Sequence, residues 1–267
     1  MNFLILSRLS NLYSTQRLVQ AIQGRGHHVA IENPESLCEG HSVDILIPRL
    51  GGFRYEESLT NLRQLEKKLS PKKTLNTAAN FHQARHKKIS AQVLADIPQP
   101  RAFETPDCFP VIVKDCLSSQ GEGVFLCRSQ EELQNCLYKL QGRELLFQEF
   151  ISESQGHDIR VFIIGDKVAA AMERVAADPR TEFRSNLSLG GIAHPVSLTA
   201  EEEQLCIQAV RKLQLDYAGV DLVRSHRGPL ILEVNPCPGL EGIEKCSHKN
   251  IAEEIVVYAE SFLNSHS

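Results

Sequence analysis

The stretch DLVRSHRGPLILEVNPCPG, residues 221 to 239, carries the signal on which the fold assignment depends. Two apolar runs on either side of a turn at residues 225 to 228 predict a β-hairpin. Asp221 stands in the first run, and Glu233 and Asn235 end the second. Because side chains alternate along a strand, Glu233 and Asn235 share one face. The hairpin therefore presents oxygen-bearing side chains where apolar residues are expected.

The length of the turn decides whether the two acids meet. A strict two-residue turn at His226 and Arg227 pairs Asp221 with Leu232 and sends Glu233 to the other face. A three-residue loop that ends with Gly228 in the left-handed conformation pairs Asp221 with Glu233 instead. The glycine favours the second register.

Two adjacent carboxylates repel each other by on the order of a kcal/mol or more in a partly dry site. A divalent cation between them removes this cost. Oxygen ligands from Asp221, Glu233 and Asn235, without His or Cys, suit Mg²⁺, which takes its other ligands from water and phosphates. The alternative is that these are ordinary surface acids on a strand.

The composition limits the function classes. The chain has 267 residues, 42% of them hydrophobic, and a net charge of -4, which indicates a globular protein without a general affinity for nucleic acid or anionic membranes. No run approaches the ~18 apolar residues of a membrane span, and the start shows no secretory leader. Eight cysteines without a C-x-x-C pair indicate reduced thiols and a cytoplasmic protein; they are Cys38, Cys108, Cys116, Cys127, Cys136, Cys206, Cys237 and Cys246.

Hydrophobic patterning divides the chain into three units. The first fifty residues alternate as a βαβ unit with a small parallel sheet, followed by predicted helices at 55–69 and 80–97. The stretch IPQP, 97–100, is a natural seam. After it come a small α+β unit and then a larger, mainly antiparallel sheet with a helix at 199–213 and a terminal helix at about 251–263. The fold class is therefore α/β and α+β, with a site between the last two units.

A second candidate site follows the apolar run that ends at Lys114. Ser118, Ser119, Gly121 and Gly123 would let the backbone approach a phosphate, with Lys114 supplying charge. The spacing does not match a P-loop, and a simple hairpin turn is the alternative. Further candidates are each unremarkable alone. They are Lys87 and Lys88 in a helix, the strand FQEFI (147–151), whose backbone groups beside an apolar wall would suit an adenine ring, and the guanidinium groups of Arg160, Arg174 and Arg184.

Taken in order, these pieces resemble a known family. Lys87, VIVK, the Gly loop, QEFI, GHDIRVFIIG, FRSN, GVDL and LEVNPCPGLEGIEK follow one another as in the ATP-grasp superfamily. The more particular SQGHDIR, FRSNL and PGLEGIEK resemble the RimK-type alpha-L-glutamate ligases, and IPRLG (47–51) extends the likeness toward the start. The resemblance implies an ATP-grasp fold with an N-terminal βαβ (pre-ATP-grasp) domain at 1–90 and an ATP-grasp domain at 91–267, divided into a central subdomain at about 98–146 and a C-terminal subdomain at about 147–267.

The same resemblance implies a role for each candidate residue. Lys87 and Lys114 would contact ATP phosphates beneath the loop of Gly121 and Gly123. Adenine would lie by Glu149 and Phe150, the ribose by Asp158, and the nucleotide and acceptor groove along Arg184, Ser185 and Asn186. Asp221, Glu233 and Asn235 would hold two Mg²⁺ or Mn²⁺ ions, and Arg174 and Arg184 would stabilise transition-state charge.

The implied reaction is ATP-dependent addition of L-glutamate to a peptide carboxyl terminus or to oligoglutamate through an acyl phosphate, by a protein that assembles as a homo-oligomer such as a tetramer. Ligation of another amino acid or to a small-molecule acceptor, and a non-catalytic nucleotide-binding scaffold, are the alternatives. Three departures bear on this. The link ENPESLCEGHSVDIL (32–46) is shorter than is usual in the family, Cys237 stands where serine is common, and Asp115 and Glu122 place negative charge near the Gly loop.

Overall fold

The structure, a computed structural model, describes residues 1–35, 42–118 and 121–264. Cys38 and Ser119, which the sequence analysis names, lie outside these residues. The strands are β1 (Asn2–Leu6), β2 (His28–Glu32), β3 (Ile45–Pro48), β4 (Lys73–Thr74), β5 (Ala102–Phe103), β6 (Val111–Asp115), β7 (Val124–Cys127), β8 (Leu145–Glu149), β9 (His157–Ile164), β10 (Lys167–Val175), β11 (Ile192–Pro195), β12 (Tyr217–Ser225) and β13 (Gly228–Asn235). The α-helices are α1 (Tyr13–Gly24), α2 (Tyr55–Leu69), α3 (Ala78–Arg85), α4 (Lys87–Val93), α5 (Gln130–Lys139), α6 (Ala200–Lys212), α7 (Glu241–Ser247) and α8 (Ile251–Asn264).

The N-terminal sheet is parallel, as the sequence predicts, with strand order β2-β1-β3-β4. Its central strand β1 alternates between two cores. Phe3 and Ile5 pack into a cluster with α1 and α8, whereas Leu4 and Leu6 pack into a cluster with α2 and α3. Both faces of the sheet are therefore covered, which explains why β1 is a continuous apolar run.

The single helix predicted over 80–97 is wrong, because the chain forms two helices, α3 and α4, that meet at His86. His86 has extended backbone angles (φ -80°, ψ 104°), and its ring accepts a hydrogen bond from the backbone N–H of Ile89. The backbone N–H of Lys87 donates to the carbonyl of Cys116 instead of continuing a helix. A tertiary contact thus overrides the local helical pattern.

The central sheet is antiparallel, with order β5-β8-β6-β7 and helix α5 on one face. Ser129 caps α5 by accepting from the N–H of Glu132. Strand β8 pairs with β6 on one side and β5 on the other. Since hydrogen bonds on both sides tie β8 to this sheet, we propose that the central subdomain extends to Glu149.

The C-terminal sheet is antiparallel, with order β11-β10-β9-β12-β13. One face packs on α6, which begins with the complete capping box of Thr199 and Glu202 that the sequence predicts. The other face packs on α7 and α8, and this core also includes α1. Helix α8 therefore joins the N-terminal and C-terminal sheets.

The hairpin of β12 and β13 pairs Asp221 with Glu233, as predicted, but by a different route. The turn is the strict two-residue type, since Ser225 pairs with Gly228. A bulge at Leu232 then shifts the register by one residue between the Leu222–Ile231 and Asp221–Glu233 pairs. The predicted three-residue loop is wrong, and the bulge brings the two acids to one face.

Candidate functional site

A cleft of about 870 Å³ runs between the three units. Of the described candidate residues from the sequence, all except Lys88 and Gly123 line it. These are Lys87, Lys114, Ser118, Gly121, Glu149, Phe150, Asp158, Arg160, Arg174, Arg184, Ser185, Asn186, Asp221, Glu233 and Asn235. Gly123 lies at the base of the loop, packed against Ser118 and Asp115. A Cβ at this position would lie 2.2 Å from Ser118 Oγ and 2.8 Å from Asp115 Cβ, so there is no room for a side chain.

Asp221 belongs to a buried network of two acids and two arginines on adjacent strands. Arg160 binds both of its carboxylate oxygens, and Arg174 Nη2 lies 3.0 Å from Oδ2. Arg174 also donates to both oxygens of Asp158. Burial opposes ionisation of Asp221, but the two guanidinium groups outweigh it and lower the pKa of its carboxyl group to about 2. Asp221 is therefore a fixed anion in the cleft.

Glu233 and Asn235 complete the oxygen-bearing set at the end of β13. Among the described residues no cation lies within ion-pair distance of the Glu233 carboxylate, whereas Asn235 Oδ1 accepts from the backbone N–H of Cys237 at 2.9 Å. A carboxylate has about four lone-pair sites, so Asp221 keeps sites beyond those its arginines use. This all-oxygen set fits Mg²⁺.

Two lysines enter the cleft from different units. Lys114, at the end of β6, is buried, and this burial is the main reason that its pKa falls to about 8, although Glu233 and Asp221 oppose the shift. Among the described residues, its Nζ makes one hydrogen bond, a 3.4 Å contact with the carbonyl of Leu232. Lys87 Nζ donates at 2.6 Å to the carbonyl of Ser118 in the Gly loop. Both amines lie where an anion would relieve their desolvation.

The Gly loop is held from across the cleft. Arg184 Nη1 donates at 2.9 Å to the carbonyl of Gly121, and the remaining guanidinium edge binds Glu182 in a bidentate pair. Gly121 has φ +77°, and a Cβ there would lie 3.0 Å from Asn186 Oδ1. The loop therefore requires glycine both for its backbone angle and for space.

The other end of the cleft is flat and apolar around Phe150, whose ring meets Phe183 edge to face at 6.4 Å. Gln148 lies beside it at 3% exposure, and its Oε1 has no hydrogen-bond partner among the described residues. Glu149 is paired with Arg227 and accepts from the backbone N–H of Arg101. An unsatisfied buried acceptor next to an apolar wall suits a flat ligand with an amino group.

Two of the residues that depart from the family pattern, Cys237 and Asp115, have local explanations. Cys237 packs against the apolar cluster that contains Leu50, so it fills space beside Asn235. Asp115 is buried and bound by Arg143 at 2.6 Å, which neutralises its charge near the Gly loop. The seven described cysteines are all free.

A second cluster of metal-ligand types, His86, Cys116 and Glu144, lies behind Lys87. Both His86 nitrogens are engaged, one with Ile89 N–H at 3.4 Å and one with Glu144 at 3.1 Å. Burial raises the pKa of the Cys116 thiol, which keeps it protonated. These contacts fasten α4 to the central sheet, and we interpret the cluster as structural.

The N-terminal wall of the cleft holds residues that the site prediction missed. Arg49 and Arg85 line it, together with Tyr13 and Gly51. The stretch IPRLG, which contains Arg49, indicates a family likeness but carries no local sign of a site. Short-range patterns did not show that the end of β3 opens into the cleft.

Three sheets around one cleft, with lysines facing carboxylates, define an ATP-grasp architecture. A family model described as "RimK-like ATP-grasp domain" matches residues 86–259, and one described as "RimK PreATP-grasp domain" matches residues 1–39. The chain therefore belongs to the RimK-like ATP-grasp family, and it is a ligase that forms carbon–nitrogen bonds.

Curated relatives agree along nearly the whole chain. A "Probable alpha-L-glutamate ligase" of Alkalilimnicola ehrlichii is 38% identical over 97% of this chain and 95% of its own length. A "Probable alpha-L-glutamate ligase 2" of Shewanella frigidimarina is 37% identical over 99% and 98%. These alignments span 291 and 296 positions, more than the 267 residues of the chain, so this chain is the shorter one over the aligned part.

Solved structures share the fold. The D-cycloserine synthetase DcsG has a TM-score of 0.78 at 15% identity and covers 98% of this chain and 99% of its own. A RimK domain ATP-grasp protein from Sphaerobacter thermophilus has a TM-score of 0.70 at 18% identity and covers 97% and 99%. Within the described residues, no helix has the length and apolar character needed to cross a membrane.

Proposed function

We propose that this ligase adds L-glutamate to the carboxyl terminus of a peptide or protein, or to oligoglutamate, at the expense of ATP. The observation that carries the proposal is the convergence of Lys87, Lys114 and the acids Asp221 and Glu233 on one cleft, in a chain about 38% identical to proteins named probable alpha-L-glutamate ligases. The cleft holds the charges that ATP with a divalent cation requires. The relatives suggest glutamate as the amino acid.

ATP would lie with its adenine between Gln148 and Phe150 and its ribose toward Asp158. Glu149, Ser185 and Asn186 would border it. The phosphates would meet Lys87, Lys114 and the Gly loop. ATP and Mg²⁺ suit the site; we further propose that Mn²⁺ can replace Mg²⁺ and that two ions bind to Asp221, Glu233 and Asn235. When bound, these ions would neutralise phosphate charge.

The reaction would proceed in two displacements. The acceptor carboxylate attacks the γ-phosphorus, an O–P bond forms, and ADP leaves. The neutral amine of glutamate then attacks the acyl carbon, a C–N bond forms, phosphate leaves, and the amine proton passes to phosphate or solvent. The chain supplies position and charge: Arg174 and Arg184 would stabilise the phosphate and oxyanion charge that develops, and the Gly loop would exclude water.

The test is ADP release by the purified protein with Mg²⁺ and ATP across the standard amino acids, with and without acidic peptides, followed by mass spectrometry of the products. We expect release that depends on glutamate, with products that grow by glutamyl residues. Glu233→Gln should abolish it, whereas Glu173→Gln, at a partly exposed acid outside the cleft, should not. If ATP binds but glutamate does not raise ADP release above that with other amino acids, the proposal is wrong.

Two further proposals concern the setting of the enzyme. We propose that it works in the cytoplasm and as a homo-oligomer, for which a tetramer is one form. Analytical ultracentrifugation of the purified chain tests the second, and a monomer at micromolar concentration would contradict it.

A further inference from the structure

The N-terminal sheet places its own binding position at the cleft. In its strand order, β2-β1-β3-β4, the chain adds β2 on one side of β1 and β3 on the other, so the switch point lies between β1 and β3. In open parallel sheets, ligands bind beyond the carboxyl ends of the strands at such a switch point. The segment after β1 brings Leu12, Tyr13 and Ser14 to the cleft, and the segment after β3 brings Arg49 and the residues that follow it.

Arg49 is the charged group at this position. It follows the last residue of β3, and its backbone N–H donates to the carbonyl of Leu6 on β1, which places it between the two strands. Its Nη1 donates at 3.0 Å to the carbonyl of Pro238, three residues after Asn235. The guanidinium group is therefore fastened to the loop that leaves the metal-type residues.

The charge of Arg49 is uncompensated. No carboxylate oxygen of the described residues lies within 4.0 Å of its guanidinium nitrogens, and the same holds for Arg85 on the same wall. Arg85 is buried, and its Nε has no hydrogen-bond partner among these residues. A partly dry cation without an anionic partner is costly, so this wall is suited to an anionic ligand.

We propose that Arg49 binds the carboxylate of the acceptor that is to be activated, and that Arg85 adds positive potential that favours an acidic chain end. This rests on the proposed function. Lys87, Lys114 and the Gly loop already serve the proposed phosphate position, so we assign the anion at Arg49 to a different group. A guanidinium fork matches a carboxylate in shape, and its attachment to the Pro238 loop holds that carboxylate beside the metal-type residues, where attack on the γ-phosphorus takes place.

The test compares Arg49→Met and Arg49→Lys with Arg25→Met, which has the same change at an arginine outside the cleft that is paired with Glu260. Initial rates of ADP release are measured against the concentration of the dipeptide Glu-Glu at saturating Mg²⁺, ATP and glutamate, and then against ATP and glutamate in turn. Thermal melting with and without ATP checks that each variant folds and binds nucleotide.

We expect Arg49→Met to raise the KM for Glu-Glu about tenfold or more, with KM values for ATP and glutamate within about twofold of wild type, as for loss of a charged hydrogen bond to one substrate. Arg49→Lys keeps the charge, so its KM for Glu-Glu should lie between those of wild type and Arg49→Met. If the methionine variant does not fold, the lysine variant is the test. Arg25→Met should match wild type.

The outcomes are separable. A wild-type enzyme that shows no glutamate-dependent ADP release with any acidic acceptor overturns the proposed function and this inference with it. An active wild type in which both Arg49 variants keep the KM for Glu-Glu, or raise the KM for glutamate instead, overturns only the inference about Arg49.

Discussion

Replacing Lys114 by methionine should stabilise the protein without ligands while it removes the proposed contact to ATP. Burial lowers the pKa of the Lys114 ammonium group from 10.5 to about 8. Since one pKa unit corresponds to about 1.4 kcal/mol, the charged amine lowers the free energy of unfolding by about 3 kcal/mol at neutral pH. Methionine keeps most of the length of the side chain and has no charge to desolvate.

The pH dependence of this difference has a defined sign. The pKa of Lys114 is lower in the folded state than in the unfolded one, so its cost is complete below pH 8. Between about pH 8 and 10.5 the folded state has lost the proton that the unfolded state still binds, and the stability of wild type rises relative to the variant. Above this window the two proteins should converge.

Urea unfolding followed by far-UV circular dichroism at pH 7, 8, 9 and 10 measures this directly. Lys167→Met is the matched control, because Lys167 is exposed at the start of β10 and its removal should change little. The reasoning is refuted if Lys114→Met is less stable than wild type at pH 7, or if the difference stays constant up to pH 10.

Three other changes test separate parts of the structure. Gln148→Leu removes an acceptor that has no described partner, so it should leave the stability of the free protein unchanged or higher and raise the KM for ATP about three- to tenfold; an unchanged KM places adenine elsewhere. Gly123→Ala places a Cβ 2.2 Å from Ser118 Oγ, so it distorts the Gly loop and should lower kcat for ADP release at least tenfold, whereas Gly24→Ala, with no atom within 4 Å of the new Cβ, should not. Thr199→Ala removes the cap of α6 and should lower the free energy of unfolding by about 1 kcal/mol in urea, with kinetic constants intact; a loss of activity at full stability would contradict a purely structural role.

The elements that were predictable from the sequence are those whose signal is local. Helix α2 has the predicted bounds, 55–69, because apolar periodicity and the Pro71 that follows it mark the helix. The short strands β4, β5 and β11 were not predicted, since two to four residues carry no period. The break at His86 also escaped prediction, because its cause is the carbonyl of Cys116, about thirty residues away.

For the site, residue types were easier to predict than their partners. The pairing of Asp221 with Glu233 follows from strand parity only if the register is known, and the register depends on a bulge at Leu232 that no turn residue announces. Arg160 and Arg174 were candidates for phosphate or carboxylate, but their binding to Asp221 and Asp158 depends on strand neighbours. The position of Arg49 in the cleft could not be predicted, because the sequence does not show which strand ends face the cleft.

The buried charges of the cleft are distributed so that the acids and the lysines lie on different walls. On the C-terminal sheet, Arg160 and Arg174 hold Asp221 ionised, so its negative charge does not depend on a bound cation. On the central and N-terminal walls, Lys114 and Arg49 keep positive charges that no described carboxylate pairs with at close range. Direct ion pairs between the acids and the cations on these walls would lower the free energy of the free protein. They would also close the cleft and leave no unpaired charge for a substrate to bind. The separation therefore leaves the buried charges to be compensated by ligand binding, at the place where phosphate and carboxylate meet in the proposed reaction.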